Sequence, residues 1–564
     1  MTDPGHGAQR TTFMQALLPA NPEAPAGPAL WRYRDLYPGA MVGDCLAGLT
    51  VGLVAIPLAL AFAISSNMPP QAGLYTAILA GVLVSMLGGT RVQIAGPTGA
   101  FVVVVANVIT QHGVDGLLTA TVIAGLLLIL IGVGRIGGII KYIPYPVVTG
   151  FTSGIALIIF TGQLRDFFGL QMTEVPGEFV PKMVALFRAA PTANLHAIFL
   201  SLVGLAILIL WPRVTTKIPS PIVALAGTAA LNVWLGAETI GDRFGVLPTT
   251  LPALHLPDLS LAQITSVFPS AVTIALLGGI ESLLSAVVAD GAMGTKHDAN
   301  QELIAQGIAN LVTPLVGGLP ATGAIARTMT NIKSGGRGPV SGIVHGIVVF
   351  LVVLFAMPLV AHVPLAGLAA ILVVVAWNMS EIPHIKELLR GPKSDIIVLF
   401  LTLGLTVFID LIVAVEVGVI LASLLFIKRL TESVTIDEVQ EGPGWENYQG
   451  TIPKGVQVYT IGGPFFFGVL ERFEQTLAFT APGTRVVVLR MKSVPAIDAT
   501  ALHGLERVIR KLHDQGKQIY LAGLREQPYR VLMQAGIVDL IGMDHVHPRL
   551  EDAIRAIEGR GTAA

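Results

Sequence analysis

The chain has 564 residues, 53% hydrophobic and 13% charged, with a formal net charge of -1 and a mean hydropathy of +0.72. Soluble globular chains carry about 25% charged residues, so this composition excludes a disordered chain and, with no basic excess, a binder of nucleic acid. The single Cys45 excludes an internal disulfide, and what remains is a polytopic membrane protein.

Charge is unevenly distributed. Residues 432–564 hold 30 of the 71 Asp, Glu, Lys and Arg, a soluble density, whereas residues 1–431 are depleted. This predicts a polar N-terminal segment over 1–42, a membrane domain over 43–431, a linker over 432–454 and a soluble tail over 455–564. The first segment has no apolar core of a signal peptide.

A spanning helix needs about 20 apolar residues. In chain order the expected segments are 43–65, 71–88, 97–110, 116–134, 143–163, 196–211, 220–236, 268–289, 301–316, 323–333, 339–362, 366–379, 394–409 and 411–429. Two of the fourteen, 97–110 and 323–333, are too short to span. With the N-terminus inside, the short inside loops hold eleven Lys or Arg, among them Arg91, Arg135, Lys141, Arg213, Lys296 and Arg337. The short outside loops hold none. This is the positive-inside pattern, and it places both termini in the cytoplasm. The longer connections 164–195 and 237–267 carry Arg165, Lys182, Arg188 and Arg243 on the opposite side.

Seven segments followed by seven predict an inverted repeat. Pro97-Thr98-Gly99-Ala100 opens the third segment of the first half, and Ala321-Thr322-Gly323-Ala324-Ile325 opens the third of the second. Two half-helix starts at mid-membrane would point unpaired N–H groups and positive dipole ends at a shared anion. Arg327 lies one turn beyond Gly323, and Glu281 and Ser285 share a face of an apolar span. Intramembrane ionisable residues are functional candidates: Arg327 as a cation near the anion or as a snorkelling interface residue, Glu281 as a proton carrier or as a permanent partner of Arg327. Asp44 precedes the first helix as a cap or interface residue, Asp290 and Asp410 lie near expected segment ends, His345 is a packing and hydrogen-bonding residue or a titrating one, and Glu416 receives no assigned role. No Walker A, G-x-S-x-G, H-E-x-x-H or cysteine metal cluster occurs, so no enzyme, metal site or cofactor is expected and active transport would be gradient-driven.

In the tail, strands are expected at Val456–Ile461, Arg485–Leu489 and Gln518–Ala522, and helices at Leu470–Phe479, Asp498–His513, Arg525–Ala535 and Arg549–Ile557. Together they predict a small α/β domain with Asp498 as a helix N-cap.

The stretches 44–52, 56–62, 69–75, 95–98, 281–284 and 294–303, with the tail, resemble the SulP anion-transporter family and its STAS domain. Within it, residues 150–154, 375–381 and 421–426 look closest to proton-driven four-carbon dicarboxylate uptake proteins. The resemblance implies a fourteen-segment, all-α membrane domain of core and gate subdomains with two half-helices, moving relative to one another. It places substrate at Phe62, Thr98, Gly99, Ala100, Gly323, Ala324, Ile325 and Arg327, with proton coupling at Glu281 and Ser285. It further implies a homodimer in the inner membrane, a small anion and protons as partners, and a cytoplasmic partner for the tail. Glu281 and Ser285 stand where sodium-coupled members have Asp and Thr, which favours protons. Ala499 removes the phospho-acceptor serine of some STAS relatives. The expected function is proton-coupled uptake of fumarate, succinate or aspartate; the alternatives are bicarbonate or sulfate transport and a STAS-regulated anion channel or sensor.

Overall fold

A computed structural model describes residues 29, 37–138, 144–172, 176–215, 218–249, 252, 254–409, 411–439, 450–478, 481 and 483–561. Asp410 and Lys141, and most of 1–42, lie outside the described residues. The chain divides into two compact units, Met1–Val419 and Ile420–Ala564.

In the first unit, proline and glycine punctuate long apolar helices. Helix α1 is Tyr37–Ser65, α2 is Pro70–Leu87 and α3 is Gly99–Val133. They are followed by α4, Tyr145–Phe168, α5, Phe179–Ala189, α6, Leu195–Val214, α7, Ser220–Leu235, and the short α8, Ile240–Phe244. Prolines at the first turns of α2, α4 and α7 have no N–H to leave unsatisfied, and α4 and α7 stop at Gly169 and Gly236 in left-handed backbone. The second half contains α9, Leu261–Met293, α10, Ala299–Val312, α11, Ile325–Lys333, and α12, Val340–Phe355. It continues through the single turn α13, Met357–Val360, then α14, Leu365–Met379, α15, Ile382–Leu388, α16, Lys393–Phe408, and α17, Leu411–Glu432, which straddles the division between units. Among the described residues, seven helices are long and apolar enough to cross a membrane, and α7 and α12 are shorter apolar helices.

The expected segments 97–110 and 116–134 run together as α3. They are joined by a kink at Gly113, whose φ of 71° and ψ of -177° are non-helical. The expected 339–362 divides at Ala356 into α12 and α13.

Helix packing has the symmetry of an inverted repeat. Helix α1 packs on α12, and its counterpart pair from exchanging the halves, α9 on α3, is also packed; so are α2 with α12 and α10 with α3, and α4 with α16 and α14 with α6. These pairs form two bundles, each drawing on both halves: a core of α1–α3 and α9–α12, and a gate of α4, α6, α7, α14 and α16.

The second unit has a five-stranded sheet whose strands lie side by side in chain order. Strand β3, Thr435–Glu438, is antiparallel to β4, Val456–Gly462; β5, Val486–Ser493, β6, Gln518–Ala522, and β7, Val546–His547, continue in parallel. Helices α18, Leu470–Ala478, α19, Ala499–Asp514, α20, Glu526–Gln534, α21, Ile537–Ile541, and α22, Leu550–Gly561, complete it. Alternate β5 residues face opposite cores: Val487 and Leu489 meet Phe473 and Leu505, while Val486 and Val488 meet Ala553 and Ile554. Strand β3 is not expected from the sequence, because four residues inside a polar linker carry too little alternation to mark a strand. Asp498 caps α19, accepting from the Ala501 amide at 2.8 Å.

Candidate functional site

Non-helical backbone at membrane depth must pair with something, and here the two interruptions pair with each other. Strand β1, Ala95–Gly96, and strand β2, Thr322–Gly323, are antiparallel, with Ala95 opposite Gly323 and Gly96 opposite Thr322. The Ala324 amide extends the ladder to the Ile94 carbonyl at 2.9 Å. Because β1 leads into α3 and β2 into α11, this pairing brings the two helix starts side by side. Gly96 makes the approach possible: its φ is 152°, and a Cβ there would run into Arg327 Nη1.

A buried polar scaffold holds β2. Thr322 Oγ1 donates to the Gly278 carbonyl at 2.9 Å, so Ser282 Oγ is the donor in the 2.7 Å Ser282–Thr322 bond, and it accepts from the Gly323 amide at 3.0 Å. Asn310 brackets Ala321, accepting from its N–H and donating to its carbonyl, both at 2.8 Å. Gln93 Nε2 donates to the Ser282 carbonyl and to Glu302 Oε1, at 3.1 and 2.9 Å. Glu302 Oε2 accepts from the Gly89 and Thr90 amides at 3.0 and 3.1 Å, and Oε1 accepts from Gln306 at 3.1 Å. Sequence reasoning missed Gln93, Ser282, Glu302, Gln306 and Asn310. The signal was present, since Glu302, Gln306 and Asn310 recur every four residues as a polar stripe on an apolar helix.

The starts themselves differ from the expected cradle in detail. The Gly323 and Ala324 amides are spent on Ser282 and Ile94, so the unpaired N–H groups of the second start begin one residue on, at Ile325. Neither N-cap, Thr98 or Ala324, caps its helix with a side chain. Thr98 donates instead to Glu281 Oε2 at 3.0 Å. Gly99 and Ala100 are buried, and a Cβ on Gly99 would stand 2.9 Å from Met379 Sδ and 3.1 Å from Ile159 Cδ1, so the first start abuts the gate. Phe62 is buried in the apolar core that also holds Ala100, Phe101 and Ile159, whereas Ile325 is 41% exposed.

Arg327 is 2% exposed and donates from Nη2 to the Pro97 carbonyl, tying α11 to the residue before Thr98; Nη1 has no partner. This geometry overturns the snorkelling alternative. Arg327 and Glu281 do not form an ion pair, which removes the permanent-partner alternative; Glu281 is partly covered, and its hydrogen bond is to Thr98. Ser285 is not brought to Glu281: it is fully buried and donates to Thr328 Oγ1 at 3.3 Å. Asp44 accepts from the amides of Arg337 and Gly338, and Asp290 from Thr295 and His297. His345 is buried against Gly81, and Glu416 is exposed. No cluster of three or more His, Cys, Asp or Glu suited to a metal ion occurs among the described residues. Two helix N-termini, each equivalent to roughly half a positive charge, and one guanidinium thus converge where an anion would be stabilised.

The profile of the sulfate permease family matches residues 41–402, and that of the STAS domain matches 448–553. A putative sulfate transporter, YvdB, from Bacillus subtilis is 42% identical over 506 residues, spanning 89% of this chain and 95% of the relative. The bicarbonate transporter BicA of Picosynechococcus is 31% identical, spanning 91% of this chain and 94% of BicA. Among solved structures, the transmembrane domain of a cyanobacterial BicA superposes with a TM-score of 0.61 at 31% identity, covering 68% of this chain and 98% of that one. The murine Solute Carrier 26 family member A9 anion transporter, inward-facing, gives a TM-score of 0.84 at 20% identity over 99% of this chain and 96% of its own; at that identity the likeness is one of fold.

Proposed function

The chain belongs to the sulfate permease family of anion transporters, and we propose that its cargo is a small inorganic oxyanion, sulfate or bicarbonate. The named relatives support this reading over the four-carbon dicarboxylates suggested by 150–154, 375–381 and 421–426. The observation that carries it is the β1–β2 pairing, which sets two side-chain-uncapped helix starts beside Arg327. In this reading the anion sits among Thr98, Gly99, Ala100 and the start at Gly323, Ala324 and Ile325, with Phe62 on its apolar side. Rocking of the core against the gate exposes that pocket alternately. The charge asymmetry of the short loops supports an orientation with the 164–195 and 237–267 connections outside and the termini inside.

Entry of sulfate against 100 mV, inside negative, costs about 4.6 kcal/mol at roughly 2.3 kcal/mol per charge. Two accompanying protons cancel that cost, and Glu281, bonded to Thr98 at the first helix start, is the proposed carrier of one. The test is uptake of labelled sulfate, bicarbonate and fumarate into proteoliposomes with an acid exterior, each oxyanion also challenged by excess unlabelled fumarate. Saturable uptake of either oxyanion that fumarate leaves unchanged is the expected result. Uptake of labelled fumarate in preference to both would overturn the assignment.

A further inference from the structure

A second basic locus lies apart from the strand pair. A cavity of about 450 Å³ opens between core and gate, lined by Ser65 and Val102 from the core and by Ile159, Arg165, Lys182 and Arg243 from the gate and its connections. Of its three cations, Arg243 is already neutralised: it grips both oxygens of Asp166, at 2.9 and 3.3 Å, and both of Glu238, at 2.6 and 2.9 Å. The same grip occupies Asp166, the carboxylate in the wall. Arg165 and Lys182 have no carboxylate partner among the described residues. Arg165 spends one Nη on the Met172 carbonyl at 3.3 Å, and its Nε is buried without a partner. Lys182, on α5 outside the spanning segments, is half-buried, and desolvation holds its ammonium below the ordinary lysine value. A partly desolvated cation with no counter-charge is destabilised until an anion enters.

The cavity is also close to the proposed transport pocket. Ile159 lines it, and Ile159 Cδ1 is the atom that would stand 3.1 Å from a Cβ on Gly99. Across the cleft Gln163 Nε2 donates to Ser65 Oγ at 3.1 Å, a hydrogen bond joining gate to core in the cavity wall.

We propose that Arg165 and Lys182 form an outer recruiting site for the small oxyanion, in which it waits beside Ile159 before the core and gate rearrange. The inference rests on the transport reading for its purpose but not for its binding chemistry. Basic clefts raise local anion concentration and lose that advantage as salt rises.

Two measurements test it. In intact cells, Lys182→Gln and Arg165→Gln are expected to raise the external KM for labelled sulfate and bicarbonate about five-fold or more and to flatten its dependence on ionic strength. The maximal rate and the KM for uptake into inverted vesicles, which present the cytoplasmic face to the medium, are expected to stay unchanged, and Lys182→Arg to restore external affinity. Unchanged external KM in both variants, or equal changes at the two faces, would overturn the site. Second, in a Cys45→Ala background, which removes the exposed native thiol, Lys182→Cys is expected to react with an impermeant anionic thiol reagent from outside, more slowly when sulfate is present. Labelling that sulfate does not slow, or that occurs only from inside, also overturns the site. If the wild-type protein moves neither oxyanion, the transport reading fails, while this labelling result still decides the binding site.

Discussion

Thr98 occupies the N-cap of the first half-helix yet donates its hydroxyl to Glu281 Oε2 at 3.0 Å, so one hydrogen bond joins the helix start that faces the anion pocket to the carboxyl proposed to carry the proton. If Glu281 carries that proton, Glu281→Gln keeps a hydrogen-bonding partner for Thr98 but cannot titrate. Its sulfate or bicarbonate uptake is expected to become equal at acid and neutral exterior pH, with anion binding retained. Acid stimulation persisting in the variant would clear Glu281 of the role.

Arg327 joins the two helix starts through the Pro97 carbonyl and is buried. Hydrogen bonds to charged groups are worth about 1.5–3 kcal/mol, and Arg327→Gln also removes the guanidinium charge beside the starts. In the detergent-purified protein, sulfate or bicarbonate is expected to raise the thermal midpoint of the wild type and to leave that of Arg327→Gln unmoved. Arg327→Lys, with a single point charge and no planar fork, is expected to recover only part of the shift.

Gly96 has a φ of 152° and no room for a Cβ beside Arg327. Gly96→Ala is expected to cost roughly 1–3 kcal/mol from backbone strain, lowering the midpoint of thermal unfolding. Gly404, in the interior of α16, has nothing within 4 Å of where a Cβ would stand; Gly404→Ala is expected to be neutral or stabilising by up to about 1 kcal/mol.

Glu302 accepts from two backbone amides and two glutamine side chains at once. Glu302→Gln places an NH2 among donors, and losing one satisfied buried contact costs about 1–3 kcal/mol. A lowered unfolding midpoint, with faster hydrogen exchange at Gly89 and Thr90, is expected; exchange unchanged at both amides would contradict the scaffold role.

At α8, the Thr239 amide and hydroxyl both donate to Asp242 Oδ2, at 2.9 and 2.8 Å, and hold its carboxyl below the usual aspartate range. A depressed folded value means that the contribution is complete above the unfolded value of about 3.9 and fades as pH falls through the lower folded one. Amide protection at 239–244 is expected to weaken over that acid window, and in Asp242→Asn to lose its dependence on pH there.

Hydropathy and loop charge made the fourteen segments legible, because a bilayer imposes length and polarity on each segment independently of its neighbours. The starts at Thr98 and Gly323 were legible because the same Thr-Gly-Ala run opens the third segment of each half, the two segments too short to span. The partnering of Thr98 with Glu281, of Ser285 with Thr328, and of the Gly323 amide with Ser282 was not. Residues separated by forty to nearly two hundred positions meet in those bonds, and no local period encodes which of several hydroxyls a buried group will find.

Local composition and spacing are enough to establish a membrane domain built from two matching halves, a soluble α/β tail and the two broken spans. They leave open that Arg327 turns inward to the Pro97 carbonyl, that Ala95 and Gly96 pair with Gly323 and Thr322, and that the unpaired amides of the second start begin at Ile325. Those three outcomes belong to the packed molecule. Each is the settlement of a buried polar group, and its partner exists only once distant helices have come together.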